Sequence, residues 1–370
     1  MLAALGAGAF ASAPWSAQAR NMRSPVAARR LNKARRGFNL PGIGDTPMAE
    51  MRRIEPQALA ALHRLGFDSI RLPIEPALLR QDASQTAVFL AALDLAIGQF
   101  LSAGFTVTLD MHPGPKSADL LRQHPDQGAE LIAGAWRALL PLCADLPADE
   151  VMLEMLNEPA LPADLWPKLR QTLVDTIRRK TTTHTLVWGA ANYQTVEETL
   201  ADKGPQDDNA IVAVHYYYPM IFTHQAQTWS DGPLKVISGF PFPSSRELGS
   251  IRNLRQRMQT QGQADAVALI DKEIQTDWTP ARIGRDMARL KDWSVATGWP
   301  VTVNEFGVFR SGASPKDRAL WLKSLRTRAE AGGFGWAHWE IDQGFGFMAD
   351  RNRPATVDPL MIDALLGRKP

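Results

Sequence analysis

Short β-branched, apolar runs alternate along this chain with longer amphipathic ones. The short runs predict strands over Arg36–Leu40, Ser69–Pro73, Thr106–Met111, Val151–Leu156, Thr185–Trp188, Ile211–His215, Val301–Asn304 and Gly335–Trp339. Apolar residues at helical spacing predict helices over Pro56–Leu65, Ala87–Ala103, Gly128–Leu146, Leu165–Lys180, Pro280–Thr297 and Pro315–Gly332. Gly66, Gly104, Gly298 and Gly332 stand where a helix-ending glycine is expected.

Strands that alternate with helices predict parallel βαβ units, and eight such strands close a barrel. The expected fold class is therefore α/β, a (β/α)8 TIM barrel that forms a single domain over residues 36–370. An open, doubly wound sheet is the competing architecture. It would carry a phosphate-binding glycine loop after the first strand, and Gly37, Gly42 and Gly44 have the wrong spacing for one. About ninety residues separate His215 from Val301, far more than a loop-helix-loop needs. This long insertion after strand six, residues 216–280, includes Phe240-Pro241-Phe242-Pro243 and a helix near Ile251–Gln259. It leaves a strand C-terminus, so it is expected to wall the barrel mouth.

The start of the chain has a different character. Residues 2–19 are small, apolar and uncharged and end in Ala17-Gln18-Ala19, the pattern of a signal peptide over 1–19, although no positive segment precedes it. The expected location is secreted or periplasmic. No later stretch reads as long and apolar enough to span a membrane. Residues 20–35 read as a lead-in segment, in which Arg29, Arg30, Lys33, Arg35 and Arg36 form a solvated basic run. Formal net charge is only +2, and no basic stripe with interleaved aromatics follows, so nucleic acid is not an expected partner. The one cysteine, Cys143, lies in an apolar helical pattern and reads as a buried thiol.

Polar residues at strand C-termini converge on one mouth of such a barrel. Here those ends read Ile70-Arg71-Leu72-Pro73, Leu109-Asp110-Met111-His112, Leu156-Asn157-Glu158-Pro159, His215-Tyr216-Tyr217, Asn304-Glu305-Phe306-Gly307 and Trp336-Ala337-His338-Trp339. Either glutamate alone reads equally well as a surface carboxylate. Together, on strands four and seven, they supply the two carboxyl groups that glycoside cleavage needs. A metal-dependent hydrolase would need several converging ligands, and His112 and His215 are isolated, so no metal or cofactor is expected. A Schiff-base aldolase would need a lysine at a strand end, and none of these ends has one.

These stretches, with Arg36-Gly37-Phe38-Asn39-Leu40, Val214-His215-Tyr216-Tyr217 and Trp339, make the chain resemble glycoside hydrolase family 5 and its clan of barrels, from about Arg36 to Phe347. The resemblance implies a retaining β-glycoside hydrolase with Glu158 as general acid/base and Glu305 as nucleophile. It implies that Arg71 and Tyr217 align the nucleophile, and that Asn157 bonds the sugar 2-hydroxyl. His112 and His215 would surround that sugar and the acid/base, and Trp339 would floor it. Pro113-Gly114-Pro115 departs from the family pattern, which leaves the adjacent subsite open. The expected partner is a β-linked oligo- or polysaccharide, and the expected state is a monomer. An endo-β-1,4-glucanase is the leading activity. Exo-acting β-glucosidase or β-1,3-glucanase action, β-mannanase action and transglycosylation are the alternatives; a non-enzymatic carbohydrate-binding barrel would have no reason to hold Arg71 and both glutamates. Of the 11 tryptophans, Trp136, Trp293 and Trp321 read as packing residues, and Trp188, Trp229, Trp278 and Trp339 as lying near the mouth or in its insertion.

Overall fold

The computed structural model describes residues 22–368, so the expected signal peptide lies outside the described residues. The eight strands are β1 (Arg36–Asn39), β2 (Ser69–Ile74), β3 (Thr106–Met111), β4 (Val151–Glu154), β5 (Thr185–Gly189), β6 (Ala210–Tyr216), β7 (Val301–Phe306) and β8 (Gly335–His338). Each pairs in parallel with the next, and β1 pairs with β8 to close the barrel. β2, β5, β6 and β7 are buried at every position, because helices cover one face and the barrel interior covers the other. That double burial is why the strands read as apolar runs.

The helices Pro56–Leu65, Pro280–Thr297 and Pro315–Gly332 start and end as predicted. Each has proline in its first turn, where no helical N–H is lost. The third helix ends on Gly332, and its left-handed cap is the next residue, Gly333, with φ 83°. The predicted Ala87–Ala103 helix begins earlier, at Ala83, because the Asp82 carboxylate accepts the Ser84 and Gln85 N–H groups.

This Ala83–Ser102 helix also corrects an expectation. By length and composition alone it is apolar enough to cross a membrane. Alanine and leucine continue round to its outer face, where Val88 and Leu95 are exposed, while Phe89, Leu93, Ile97 and Phe100 are buried in the barrel core.

The lead-in is not a solvated run. Pro25–Lys33 is a helix capped by Ser24, and its Ala27 and Leu31 pack against Met152, Val187, Ile211 and Ala213 at the strand N-termini. It plugs the bottom of the barrel. Arg30 is buried there and donates to Asp149 at 3.0 Å, to Thr183 O at 2.5 Å and to Thr185 Oγ1 at 2.9 Å.

The insertion after β6 carries four helices: Met220–Thr223, Pro233–Val236, Gly249–Thr260 and Ala264–Glu273. Its Ile237, Phe240, Phe242, Ile251, Leu254 and Met258 are continuous with the main core. Buried Gln225 pins it, donating to Phe222 O and Phe240 O and accepting from Phe240 N–H.

Candidate active site

The strand C-termini meet in a buried polar layer centred on Arg71. All five of its N–H donors are used. They reach Glu154 Oε2 at 2.7 Å and Oε1 at 2.9 Å, Asn39 Oδ1 at 2.9 Å, Asn157 Oδ1 at 2.8 Å and Glu305 Oε1 at 2.6 Å. Asp110 Oδ2 lies 3.0 Å from the same guanidinium. Burial disfavours the Arg71 charge, but Asp110, Glu154 and Glu305 outweigh it and raise the guanidinium well above its ordinary value. The cation is thus locked in place.

Glu305 is buried, and both its oxygens accept hydrogen bonds, one from Arg71 and one from the Tyr217 hydroxyl at 3.1 Å. This is the pattern a carboxylate takes. Burial and the adjacent Glu305 and Glu158 carboxylates push the Tyr217 phenol well up, so it remains a donor. His215 and Tyr217, two apart at the end of β6, both reach Glu305, with His215 Nδ1 3.5 Å from Glu305 Oε2. Tyr216 between them points the other way and donates to Asp286 on the outer helix at 2.8 Å. The alternation expected of a strand end holds here.

Glu158 faces Glu305. One carboxylate oxygen of each, with a ring nitrogen of His215, lie within 4.8 Å of one another. His215 Nδ1 is 2.8 Å from Glu158 Oε1. Burial raises the Glu158 carboxyl to about 7, although His112 and Arg71 pull the other way. Burial lowers His215 to about 4 despite Glu305 beside it, so its ring is neutral at pH 7. The two glutamates therefore differ in what surrounds them: Glu305 has an arginine and a phenol donating to it, and Glu158 has a neutral imidazole.

His112 Nδ1 lies 2.7 Å from Asp110 Oδ2, and its Nε2 is 3.3 Å from Asn157 Nδ2. Burial works against charge on His112, but Asp110 outweighs it and raises the ring to about 9. The ring stacks on Trp339, with centroids 5.5 Å apart and planes 16° apart. All eight residues singled out in the sequence thus meet at one mouth.

His112, Asn157, Glu158, Tyr217, Glu305 and Trp339 line a cleft of about 560 Å³, within the range of about 300–1,000 Å³ common for small-molecule sites. The insertion does wall it: His224, Thr228 and Trp229 join Phe309 and Phe345 on one side. Trp229 is 55% exposed and stands edge-on to Phe309, with centroids 5.1 Å apart. Trp188, expected near the mouth, is instead buried against Trp299 in the helix layer, and Trp278 stacks on Tyr218 inside the insertion. The loop after β8 is held by buried Glu340, which accepts the N–H groups of Asp342, Gln343 and Phe345.

Five participants were not assigned from sequence, Asp110 beneath Arg71 and His112 among them. Asn39, Glu154 and Asn304 complete the Arg71 layer, and Asn304 Nδ2 donates to both Glu154 oxygens at 2.9 Å. Glu154 had a signal, since it precedes Leu156 and Glu158 by two and four residues on the same strand end. Gln194, after β5, accepts the Glu158 N–H and had none.

Comparison with known proteins bears on the same residues. The cellulase (glycosyl hydrolase family 5) profile matches residues 31–344. Endoglucanase 3 of Fibrobacter succinogenes is 25% identical over 309 residues, covering 76% of this chain and 45% of that protein. This chain thus spans less than half the length of that relative. Endoglucanase C of Acetivibrio thermocellus is 23% identical over 330 residues, covering 85% of this chain and 92% of that one. The solved structure of Thermotoga maritima Cel5A with cellobiose has a TM-score of 0.74 at 22% identity, covering 92% of this chain and 99% of that one, which shows a shared fold. With its closed eight-stranded barrel and a profile match that spans both Glu158 and Glu305, this chain belongs to the cellulase family, glycosyl hydrolase family 5.

Proposed function

We propose that the protein is a retaining β-glycosidase that cleaves β-1,4-glucan within the chain. The observation that carries this reading is the placement of Glu158 and Glu305, with carboxylate oxygens within 4.8 Å. Retaining enzymes hold their carboxyl groups about 5–5.5 Å apart, whereas inverting ones leave about 6.5–9.5 Å for a water. Glu305, held by Arg71 and Tyr217, attacks the anomeric carbon. Glu158, raised to about 7, is protonated often enough near neutrality to give its proton to the departing glycosidic oxygen. The bond from carbon to that oxygen breaks as the bond to Glu305 forms. Glu158, now ionised, takes a proton from water, whose oxygen displaces Glu305 and restores the original configuration. Asn157 is oriented by Arg71, which holds its Oδ1 and leaves its NH2 group to bond the 2-hydroxyl, and Trp339 backs the sugar face.

The choice of glucan is supported by the relatives, both named endoglucanases. A polymeric substrate and the apolar leader at 1–19 support a secreted or periplasmic location.

The test is hydrolysis of soluble β-1,4-glucan, β-1,3-glucan, β-mannan and aryl β-glycosides by the wild type, Glu158→Ala and Glu305→Ala. Wild-type cleavage of β-1,4-glucan into mixed oligosaccharides, with a loss of several orders of magnitude in both variants, supports the reading. Azide should restore turnover to Glu305→Ala and give an inverted glycosyl azide. Near-full activity in either variant defeats the two-carboxylate assignment, and release of a single small sugar from chain ends defeats internal cleavage.

A further inference from the structure

We propose that Gln194 is a positioning residue for Glu158, acting through the Glu158 peptide N–H; the proposal rests on the reading of Glu158 as the acid/base. Three successive non-glycine residues, Asn192, Tyr193 and Gln194, have φ of 49°, 68° and 55°. A side-chain-bearing residue rarely adopts this conformation even singly, and a run of three persists only where its surroundings dictate it. Here the run turns Gln194 back into the top of the barrel, where it is fully buried. Gly189 makes the room, since a Cβ there would collide with the Gln194 side chain.

Gln194 Oε1 accepts the Glu158 N–H at 2.6 Å, and the Asn192 N–H donates to Pro159 O at 3.0 Å, so two bonds tie the β5 loop to the acid/base loop. The amide cannot be reversed, because its NH2 group would then face another donor. Among the described residues its Nε2 has no hydrogen-bond partner, so this buried amide is kept in place for the one bond its oxygen makes.

That bond matters because of Glu158's own backbone, which has φ 40°. Had β4 continued as an extended strand, Asn157 and Glu158 would point to opposite faces. The left-handed turn lets Asn157 stay on Arg71 while the Glu158 carboxyl reaches His215. Remove the acceptor, and the Glu158 peptide N–H loses its partner at the left-handed residue itself, leaving the bond to Pro159 O one residue further on. It relaxes, and the carboxyl leaves the glycosidic oxygen while Glu305 keeps its place.

The loss should therefore fall on proton donation alone. Wild type, Glu158→Ala, Gln194→Met and Gln194→Glu are compared by kcat/KM on a cello-oligosaccharide and on a dinitrophenyl β-glycoside, whose leaving group needs no proton. Thermal unfolding is followed alongside. Glu158→Ala should lose about 10²–10⁴-fold on the oligosaccharide and far less on the dinitrophenyl substrate. Gln194→Met, which keeps the volume and loses the acceptor, should show the same split at about 10–100-fold on the oligosaccharide. Gln194→Glu keeps an acceptor and should recover most of that loss, with its alkaline pH limb moved upward by the added carboxylate. Equal losses of Gln194→Met on both substrates, or no loss, overturn the proposal while the Glu158 split leaves the acid/base assignment standing. Absence of the split in Glu158→Ala overturns that assignment and this inference with it.

Discussion

Asn304 and Glu305 are consecutive in β7, yet both side chains point to the barrel axis, one bonding Glu154 and the other bonding Arg71. A regular strand would send one of them outward. The β6–β7 register slips to allow it: Val214 pairs with Val303, and His215 with Glu305, leaving Asn304 as the extra residue of a bulge. The bulge puts Asn304, which bonds Glu154, beside Glu305, which bonds Arg71 of the same layer. Asn304→Ala would take a donor from both Glu154 oxygens. It should cost about 1–3 kcal/mol of stability in denaturant unfolding, and it should lower kcat with little change in KM. An unchanged unfolding midpoint would show that the Glu154 bonds contribute nothing.

The Glu158 carboxyl gives two pH predictions. With its value near 7, activity that needs the proton should fall along an alkaline limb centred near 7, and Glu158→Ala should lose that limb on substrates that still react. For stability, the sign runs the other way from most acids. The folded value is raised above 4.5, so the contribution is complete below about 4.5 and is lost as pH rises through about 7. Glu158→Gln should therefore stabilise the fold by about 1–2 kcal/mol at pH 8, discounted for its partial exposure to the cleft, and by little at pH 4. Denaturant curves at the two pH values decide it, and stabilisation at pH 4 alone would reverse the sign.

Arg71→Lys is not a conservative change here. A lysine offers three donors from one point where five are fanned out to Glu154, Asn39, Asn157 and Glu305. Two carboxylates of the layer, Asp110 and Glu154, are wholly buried. The variant should lose about 3–5 kcal/mol of stability, together with most of its activity. Calorimetry and the glycan assay check both, and a variant of wild-type stability would mean the layer repacks.

Trp229 is held half-exposed on a turn in which the Gln227 side-chain Oε1 accepts the Trp229 N–H at 2.9 Å and the Ser230 N–H at 3.0 Å. An aromatic face fixed at the rim of a sugar-sized cleft should stack on a unit of a longer chain. Trp229→Ala should lower kcat/KM by about tenfold on long oligosaccharides, with the loss shrinking as the substrate shortens. A loss independent of chain length would place Trp229 outside the substrate path.

The parts legible in the sequence were those set by strand direction. Arg71, Glu158, Tyr217 and Glu305 stand at strand ends, and strand ends converge in a barrel whatever else differs. Tyr217 could even be assigned a face from its spacing to His215. Less legible was anything that depended on a local departure from regular structure. Asn304 needs the β7 bulge to face inward, and Gln194 needs three left-handed residues. Trp188 failed for a related reason: a residue near a strand end can face the helix layer as readily as the mouth, and Trp299 claims its ring. In the lead-in, charge hid amphipathicity, since Ala27 and Leu31 align on one side of a helix whose arginines dominate the reading.

The helix beneath the barrel also determines how the molecule can be handled. Arg23 bonds Gly298 just before β7, and the Arg368 guanidinium lies beside Gly66 just before β2. Both ends of the described chain therefore leave from the floor, on the side opposite the cleft. A bead, a surface or a fused partner attached at either end grips the protein by its base and leaves its mouth turned outward.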